Sequence, residues 1–174
     1  MATISRYLAR VAGKTKQVVA LVASSGSSDA GKMVATDTDG RLSPTVMPLG
    51  IGPSTNVAVA SEDISAGKFV NFFNDAGVLK CRLADNSNGR PADGYVTATY
   101  VTNDPATVYP LDGVNSNMTG LTVGAAYWLG TAGGVIAVPL DEEDSNNANF
   151  ISQYLGKAKS ATELITTDDS YVVL

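Results

Sequence analysis

The sequence predicts a mainly β protein: a sandwich or barrel body of short antiparallel strands, preceded by an extended N-terminal arm and a Gly/Pro-rich segment. Three observations predict this class. From Asn56 onward, short runs alternate apolar and polar side chains, the period of a half-buried strand. Gly-, Asn- and Asp-containing turns separate these runs at the spacing typical of sandwiches and barrels. Helical periodicity is confined to the N-terminus and one later stretch. The 174 residues, 44% of them hydrophobic, fit one domain or one domain with an appendage.

The first element is the N-terminal arm, which together with the first strand occupies residues 1–23. Ile4, Leu8 and Val11 have the i, i+4, i+7 spacing of one apolar helical face, and Gly13 would end such a helix. An isolated helix of this length is marginal in water, so the arm would need a partner to order it. An extended tail is the alternative. The valine-rich run QVVALVAS that follows predicts a strand.

Charge separates the arm from the rest of the chain. The net charge is −5, yet the first sixteen residues carry Arg6, Arg10, Lys14 and Lys16 and no acid. A basic arm on an acidic body indicates that the arm meets a different surface from the one the body meets. Four cations without interleaved aromatic residues do not predict a nucleic-acid site. We therefore expect a protein surface as the arm's target.

The stretch GSSDAGKM (residues 26–33) has the glycine and lysine spacing of a phosphate-binding loop. Met33 occupies the place where such a loop needs a Ser or Thr hydroxyl for magnesium. The sequence after it contains β-branched residues, Asp-Gly and Pro44, and it has no sustained helical period. The upstream VAGKT lacks the required first glycine. We interpret the stretch as a Gly/Ser hinge rather than a nucleotide site.

Residues 24–55 form the Gly/Pro-rich segment. Its part from Ser24 to Pro53 holds five Gly and three Pro. DTDG predicts a turn around Asp39-Gly40, and the prolines of SPTVMPLGIGPS predict an extended chain. The segment has no regular element of its own, so its apolar side chains must be buried on the body, a neighbouring subunit or a foreign surface. These side chains are Leu42, Val46, Met47, Leu49 and Ile51.

The body, residues 56–174, is predicted to be all β apart from one stretch. KFVNFF and VLKCRLA predict a hairpin around NDAG, and AAYWLG and VIAVPL predict another around TAGG. The other predicted strands are NVAVAS, GYVTATYV, ATVYPL, FISQYLGKAKS, TELITT and SYVVL. EEDSNNANFISQ is the exception, since it has enough length for a helix.

Composition argues against common catalytic sites. The chain has no histidine, which removes the usual general base and the commonest metal ligand, and Cys81 is its only cysteine. Cys81 lies in an alternating run and is expected to be a packed thiol. The acids of LDEED (Leu140 to Asp144) lack calcium-loop spacing, so they predict a solvated loop. Tyr127 and Trp128 should face opposite sides of a strand, and one of them could anchor an interface. We predict no metal, no cofactor and no enzyme activity.

Several phrases resemble a family of tailed-bacteriophage virion proteins, the small head-decoration, cement or head-fibre proteins. They are YLARVAGKTKQV, DAGKMVATDTDGRLSPTVMPLGIG, SAGKFVNFFNDAGVLKCRLADNSNGRPADGYV, LTVGAAYWLGTAGGVI and ISQYLGKAKSATELI. The resemblance implies a β-rich module on the outside of an icosahedral capsid, often a trimer, without catalysis. "GSSDAGK" is then a hinge between the arm and the proline-containing segment.

Together, these features predict a structural virion protein that binds the outer surface of a capsid and reinforces or decorates it. The expected partners are the major capsid protein and further copies of the chain, with a trimer favoured, and neither nucleic acid nor membrane. No signal peptide or membrane span is recognised, so synthesis in the host cytoplasm is expected. The residues predicted to contact capsid or subunit are Arg6, Tyr7, Leu8, Arg10, Leu42, Met47, Leu49 and Ile51.

Two alternatives stay open. The chain could be a phage fibre or receptor-binding module for host surface glycans, which exposed Tyr and Trp on loop tips would favour. A carboxylate-based enzyme, for instance a glycan hydrolase, would need two carboxyl groups across a cleft.

Overall fold

The structure is a computed structural model that describes residues 6–38, 40–47 and 54–174. Contacts within the chain divide it into two compact units, Met1–Gly52 and Pro53–Leu174. The described residues contain thirteen strands and three short 3-10 helices. The predicted mainly β class is confirmed.

The N-terminal unit begins with a β-hairpin. Strand β1 (Arg6–Val11) pairs antiparallel with β2 (Lys14–Val19), and Ala12 and Gly13 form the two-residue turn between them. Both turn residues have positive φ, 50° and 78°, which is the type I′ geometry that matches the twist of a hairpin. Of the two alternatives for the arm, the helix is therefore wrong over the described residues 6–14. The sequence does have the i, i+4, i+7 apolar spacing of a helix. The Ala-Gly turn, however, lets the chain fold back on itself, so the backbone N–H and C=O groups of the two strands bond to each other.

The rest of the N-terminal unit is a loop with two 3-10 helices, Ser27–Asp29 and Pro44–Val46. Of the predicted strand QVVALVAS, only the part up to Val19 is a strand, where β2 ends. Beyond it, a single parallel bridge joins Leu21 to Val34. The extended conformation predicted around Pro44 is wrong at residues 44–46, where proline begins a helical turn, a place that its fixed φ suits. The remainder of that prediction lies outside the described residues.

The second unit starts with a closed five-stranded barrel in the order β3-β5-β4-β6-β7, which β3 closes by pairing with β7. Neighbouring strands are antiparallel except for the parallel pair β3–β5. β4 and β5 form the predicted hairpin, with Ala76 and Gly77 as its turn. The barrel strands are β3 (Asn56–Ala60), β4 (Phe69–Asp75), β5 (Val78–Leu83), β6 (Gly94–Val96) and β7 (Pro105–Tyr109).

A second sheet in the same unit has the order β10-β9-β11-β12-β8, and β13 pairs with β11. The strand β11 carries a bulge, since Tyr154 lies opposite Trp128 but Gly156 lies opposite Tyr127. Gly156 has φ +144°, and a Cβ on it would stand 1.9 Å from the carbonyl oxygen of Ile165. Only glycine fits that position. The strands are β8 (Val114–Asn115), β9 (Ala126–Leu129), β10 (Val135–Ile136), β11 (Ile151–Ala158), β12 (Leu164–Thr166) and β13 (Tyr171–Val173).

Two buried clusters hold this unit together. Small side chains fill the barrel, among them Val70, Ala106 and Cys81, whose side chain is fully buried as predicted. Phe69, the residue before Val70, belongs instead to the cluster that also contains Leu129 and residues of the second sheet. Successive residues of a strand face opposite sides, so β4 contributes to both cores.

Two predictions for the body need correction. GYVTATYV supplies a strand only over Gly94–Val96, and its later part makes one isolated bridge, from Tyr100 to Ile64. EEDSNNANFISQ is not an α-helix. It contains the 3-10 helix Ser145–Asn147, capped by the carboxylate of Asp144, and then enters β11. Asn and Asp favour such short caps and turns over helix interiors.

Candidate functional site

The N-terminal unit lacks a core of its own. None of its described residues, 6–38 and 40–47, has a buried side chain where burial is described. The second unit, by contrast, contains the two buried clusters. Burial of apolar surface is the main favourable term in folding, so a segment without it depends on a surface outside itself. This contrast makes the N-terminal unit the candidate functional site.

One face of the hairpin is fully open. Paired residues of an antiparallel hairpin point to the same side, and alternate residues along each strand share a face. All six side chains of what we call the open face are exposed, with Leu8 at 74% and Val19 at 49%. The open face consists of Arg6, Leu8 and Arg10 from β1 and of Thr15, Gln17 and Val19 from β2.

The opposite face of the hairpin is partly covered. Tyr7, Ala9 and Val18 lie on it and are half-buried. The hydroxyl oxygen of Tyr7 accepts a hydrogen bond from the backbone N–H of Met33 at 3.3 Å. Tyr7 therefore connects the hairpin to the loop of its own unit.

In the stretch GSSDAGKM (residues 26–33), the charge of Lys32 is neutralised by Asp29 of the same stretch. Lys32 Nζ donates to Asp29 Oδ1 at 2.6 Å, and the backbone N–H of Ser25 donates to Asp29 Oδ2. These hydrogen bonds, that of Lys32 above all, hold the pKa of Asp29 below its ordinary value. The only helix of this stretch is the one-turn Ser27–Asp29, which precedes the lysine. The geometry thus lacks the long helix N-terminus that a nucleotide phosphate would need.

An open groove of about 440 Å³ lies within the N-terminal unit. Leu21, Val34 and Met47 contribute apolar side chains to it, and the ion pair of Asp29 with Lys32 supplies its charged part. The backbone N–H of Ser24 donates to Thr45 Oγ1 at 2.8 Å, which holds the two ends of the loop together. The remaining lining residues are Ser24, Gly26, Ala30, Thr45 and Val46.

The predicted contact residues divide into three groups. Arg6, Leu8 and Arg10 come together on the open face. Leu42 and Met47 are exposed at 50% and 36%, and Met47 also lines the groove. Leu49 and Ile51 lie outside the described residues, as does Asp39 of the predicted turn. At that turn, the N–H of Gly40 donates to the carbonyl oxygen of Asp37.

The prediction missed Val19, which lies opposite Arg6 on the open face. The signal that would have found it is the Ala-Gly pair at residues 12–13. The same Ala-Gly pair occurs in the predicted turns NDAG and TAGG.

The carboxylate-enzyme alternative needs acidic side chains around a cleft. An acidic pocket of about 320 Å³ lies in the second unit. Burial raises the pKa of Asp93, and the nearby charge of Asp168 adds to that rise. Asp93 Oδ2 nevertheless accepts hydrogen bonds from the N–H of Phe72 and from Asn71 Nδ2, which gives the carboxylate a structural role. The acids of LDEED do not take part, since Asp141 to Asp144 are exposed in a separate loop. The pocket is lined by Pro91, Ala92, Asp93, Gln153, Asp168, Asp169, Ser170 and Tyr171.

The glycan alternative called for exposed aromatic side chains on loop tips. Tyr127 is buried, and Trp128 lies on β9, where its ring packs edge-on against Tyr154 with centroids 5.6 Å apart. A further pocket of about 340 Å³ contains Lys68 and Asn117, and none of its described lining residues is aromatic. These positions do not form the stacking platform on which a sugar ring usually binds.

Within the described ranges, no helix is long and apolar enough to cross a membrane. The same ranges contain no group of three or more Cys, Asp or Glu residues arranged to hold a metal ion.

Comparison with known proteins gives one distant similarity. No protein-family model matches the chain, and no curated protein matches it significantly. Among solved structures, the chain is similar to the head fiber gp8.5 N base of bacteriophage phi29, with a TM-score of 0.43 and 12% sequence identity. The match covers 67% of this chain and 95% of that one.

Proposed function

We propose that the chain is a structural protein of a phage virion that attaches to the outer surface of the capsid through its N-terminal unit. The second unit, with its own cores, forms the part displayed outward, and the protein performs no catalysis. The partner is the major capsid protein. The resemblance of the sequence phrases to head-decoration and head-fibre proteins supplies the biological setting of the proposal.

The absence of buried side chains from the described N-terminal residues is the observation that carries it. Exposed apolar side chains are concentrated there, with Leu8 at 74%, Met33 at 59% and Leu42 at 50%. Large exposed apolar patches with a polar rim mark interaction sites in soluble proteins. A stable contact buries roughly 800 Å² on each partner, so the attachment would need several of these exposed side chains together.

Oligomerisation would strengthen such an attachment. A trimer that engages several capsid sites gains avidity without any new contact, because the second and third binding events become intramolecular. We therefore propose a homo-oligomer, with three copies favoured, in which each copy contributes one N-terminal unit.

The test uses capsids that lack this protein, prepared from the phage that encodes it. The full chain should sediment with the capsids, and a chain without residues 1–23 should remain in the supernatant. Leu8→Ser should weaken the association about tenfold, as expected for an interface anchor.

Val138→Ser is the matched control, since Val138 is 73% exposed on the second unit, close to the 74% of Leu8. It should leave co-sedimentation unchanged. Equal capsid binding by the full chain and the truncated chain would contradict the proposal. Capsid binding lost alike in Leu8→Ser and Val138→Ser would also contradict it, because the contact would then not be specific to the N-terminal unit.

A further inference from the structure

We propose that the open face of the hairpin binds an acidic protein surface on which two carboxylates bracket an apolar patch. This inference rests on the proposed function, and it specifies the chemistry that the capsid partner must present. Tyr7 is excluded from the contact, since it lies on the other face of the hairpin.

The spacing of the open face defines the partner's spacing. Arg6 and Arg10 are four residues apart on β1 with Leu8 midway between them on the same face. A strand rises about 3.4 Å per residue, so the two Cα atoms are about 14 Å apart. Val19 lies opposite Arg6 and Gln17 lies opposite Leu8, so the centre of the face is apolar and amide-bearing. A complementary surface has carboxylates at a similar separation with apolar side chains between them.

The hairpin separates its arginines from its lysines. Arg6 and Arg10 lie on the open face, whereas Lys14 and Lys16, which pair with Val11 and Ala9, lie on the opposite face. The guanidinium group is planar and can donate two parallel hydrogen bonds to one carboxylate, and it is more weakly hydrated than an ammonium group. Protein interfaces are accordingly enriched in arginine and depleted in lysine. The open face thus has the arginine side chains that are typical of protein interfaces.

The two arginines have no carboxylate partner in the described parts of the chain. Arg6 makes only a long hydrogen bond of 3.4 Å to Gln17 Oε1. Four other cations of the chain do form ion pairs: Lys32 with Asp29, Lys80 with Asp75, Lys159 with Glu163 and Arg90 with Glu62. The hairpin itself contains no Asp or Glu. Its positive charge is therefore available to a second molecule.

A protein fits this face better than nucleic acid does. Single-stranded nucleic acid is usually held by stacking on aromatic rings, and the open face has none. A duplex would place phosphates against the strand, where the exposed Leu8 gains nothing. The apolar centre between two cations instead matches the core-and-rim arrangement of protein interfaces.

The test compares two double variants that remove the same charge from opposite faces of the hairpin. Arg6→Gln with Arg10→Gln should weaken binding to the capsids that lack this protein at least tenfold, as measured by co-sedimentation across a concentration series. Lys14→Gln with Lys16→Gln should weaken it less than twofold. Raising the salt from 0.05 to 0.5 M should weaken the wild type more than the arginine variant, because screening acts on the charges that make the contact.

Failure of the inference and failure of the proposed function give different results. Equal losses in the two double variants, or none in either, would overturn the inference, while loss on deletion of residues 1–23 would still support capsid attachment. If the deletion has no effect, the proposed function itself fails. Tight binding of the wild type to a 20-base-pair DNA duplex or to anionic lipid vesicles, abolished by the arginine variant, would also overturn the inference by identifying another class of partner.

Discussion

Asp85 connects two loops of the second unit through its carboxylate. Oδ1 accepts hydrogen bonds from the N–H and the hydroxyl of Ser87, and Oδ2 accepts one from the N–H of Ala132 in the β9–β10 turn. Partial burial alone would raise the pKa of Asp85, but these hydrogen bonds and the charge of Arg90 outweigh it, so the pKa lies below its ordinary value of 3.8. The ionised carboxylate is thus the form that the folded state prefers.

This preference makes the contribution of Asp85 depend on pH. The folded pKa is lower than the unfolded pKa, so the stabilisation is present above the unfolded pKa and is lost as the pH falls through the folded one. Asp85→Asn should lower the free energy of unfolding by about 1 kcal/mol at pH 7, because weaker acceptors replace charge-assisted ones. The difference from wild type should shrink below about pH 4.

Urea unfolding at pH 7 and pH 3 measures the difference, with Glu142→Gln in the exposed LDEED loop as the control. A deficit of Asp85→Asn that is as large at pH 3 as at pH 7 would show that the carboxylate's charge is irrelevant.

At the scale of elements, the chain repeats one turn. Ala-Gly occupies the two central positions in the hairpins β1–β2 and β4–β5, with positive φ at Ala12, Gly13, Ala76 and Gly77. Ala132 and Gly133 have the same signs in the longer β9–β10 connection. Glycine adopts this region freely, whereas alanine is strained there by its Cβ. Each of these turns therefore retains strain at its first position.

Replacing Ala76 with asparagine should relieve that strain. Asparagine tolerates the left-handed region better than alanine, and Asn-Gly is the preferred pair of a type I′ turn. Ala76→Asn should raise the free energy of unfolding by about 0.5–1 kcal/mol, seen as a higher urea midpoint with an unchanged slope. Ala98→Asn, at an exposed alanine without a positive φ, is the control and should bring no gain. Equal effects of the two substitutions would count against the turn as the source.

The turns also show which strand pairings can be predicted from the sequence. Period-two alternation next to Ala-Gly identified the hairpins β4–β5 and β9–β10, because both signals are local in the chain. The closure of the barrel was not predictable in this way. The parallel pairing of Val59 with Lys80 joins strands that are not adjacent in sequence order, and no local pattern encodes that choice.

The candidate site was predictable in composition but not in geometry. The basic charge of the arm pointed to the segment that contains the open face, and Arg6, Leu8 and Arg10 do share that face. Helical spacing, however, grouped Leu8 with Ile4 and Val11, and a strand places Val11 on the opposite face. A register that shifts by one residue exchanges the two faces of a strand, so the side chains that meet a partner follow only from the pairing.

At the scale of the whole molecule, the two units differ in what stabilises them. The second unit has two buried clusters, with side chains such as Phe69, Ile64 and Leu155 fully buried. In the N-terminal unit, the observed contacts are the hairpin ladder, the Leu21–Val34 bridge and exposed hydrogen bonds. A single two-stranded hairpin is marginal in water by itself.

Removal of residues 1–52 should therefore leave the stability of the second unit nearly unchanged. Its cores contain only residues beyond Pro53, and none of the described residues 6–38 and 40–47 has a buried side chain where burial is described, so no observed core contact is lost on deletion. We expect the melting temperature of the 53–174 fragment to lie within about 2 °C of that of the full chain, as followed by circular dichroism, since 1 kcal/mol corresponds to a shift of several degrees at this size. A peptide of residues 1–52 should show no cooperative transition. A fragment that melts more than about 5 °C below the full chain would contradict this expectation. The N-terminal unit would then stabilise the second unit, and its exposed side chains would not be explained by binding to a partner alone.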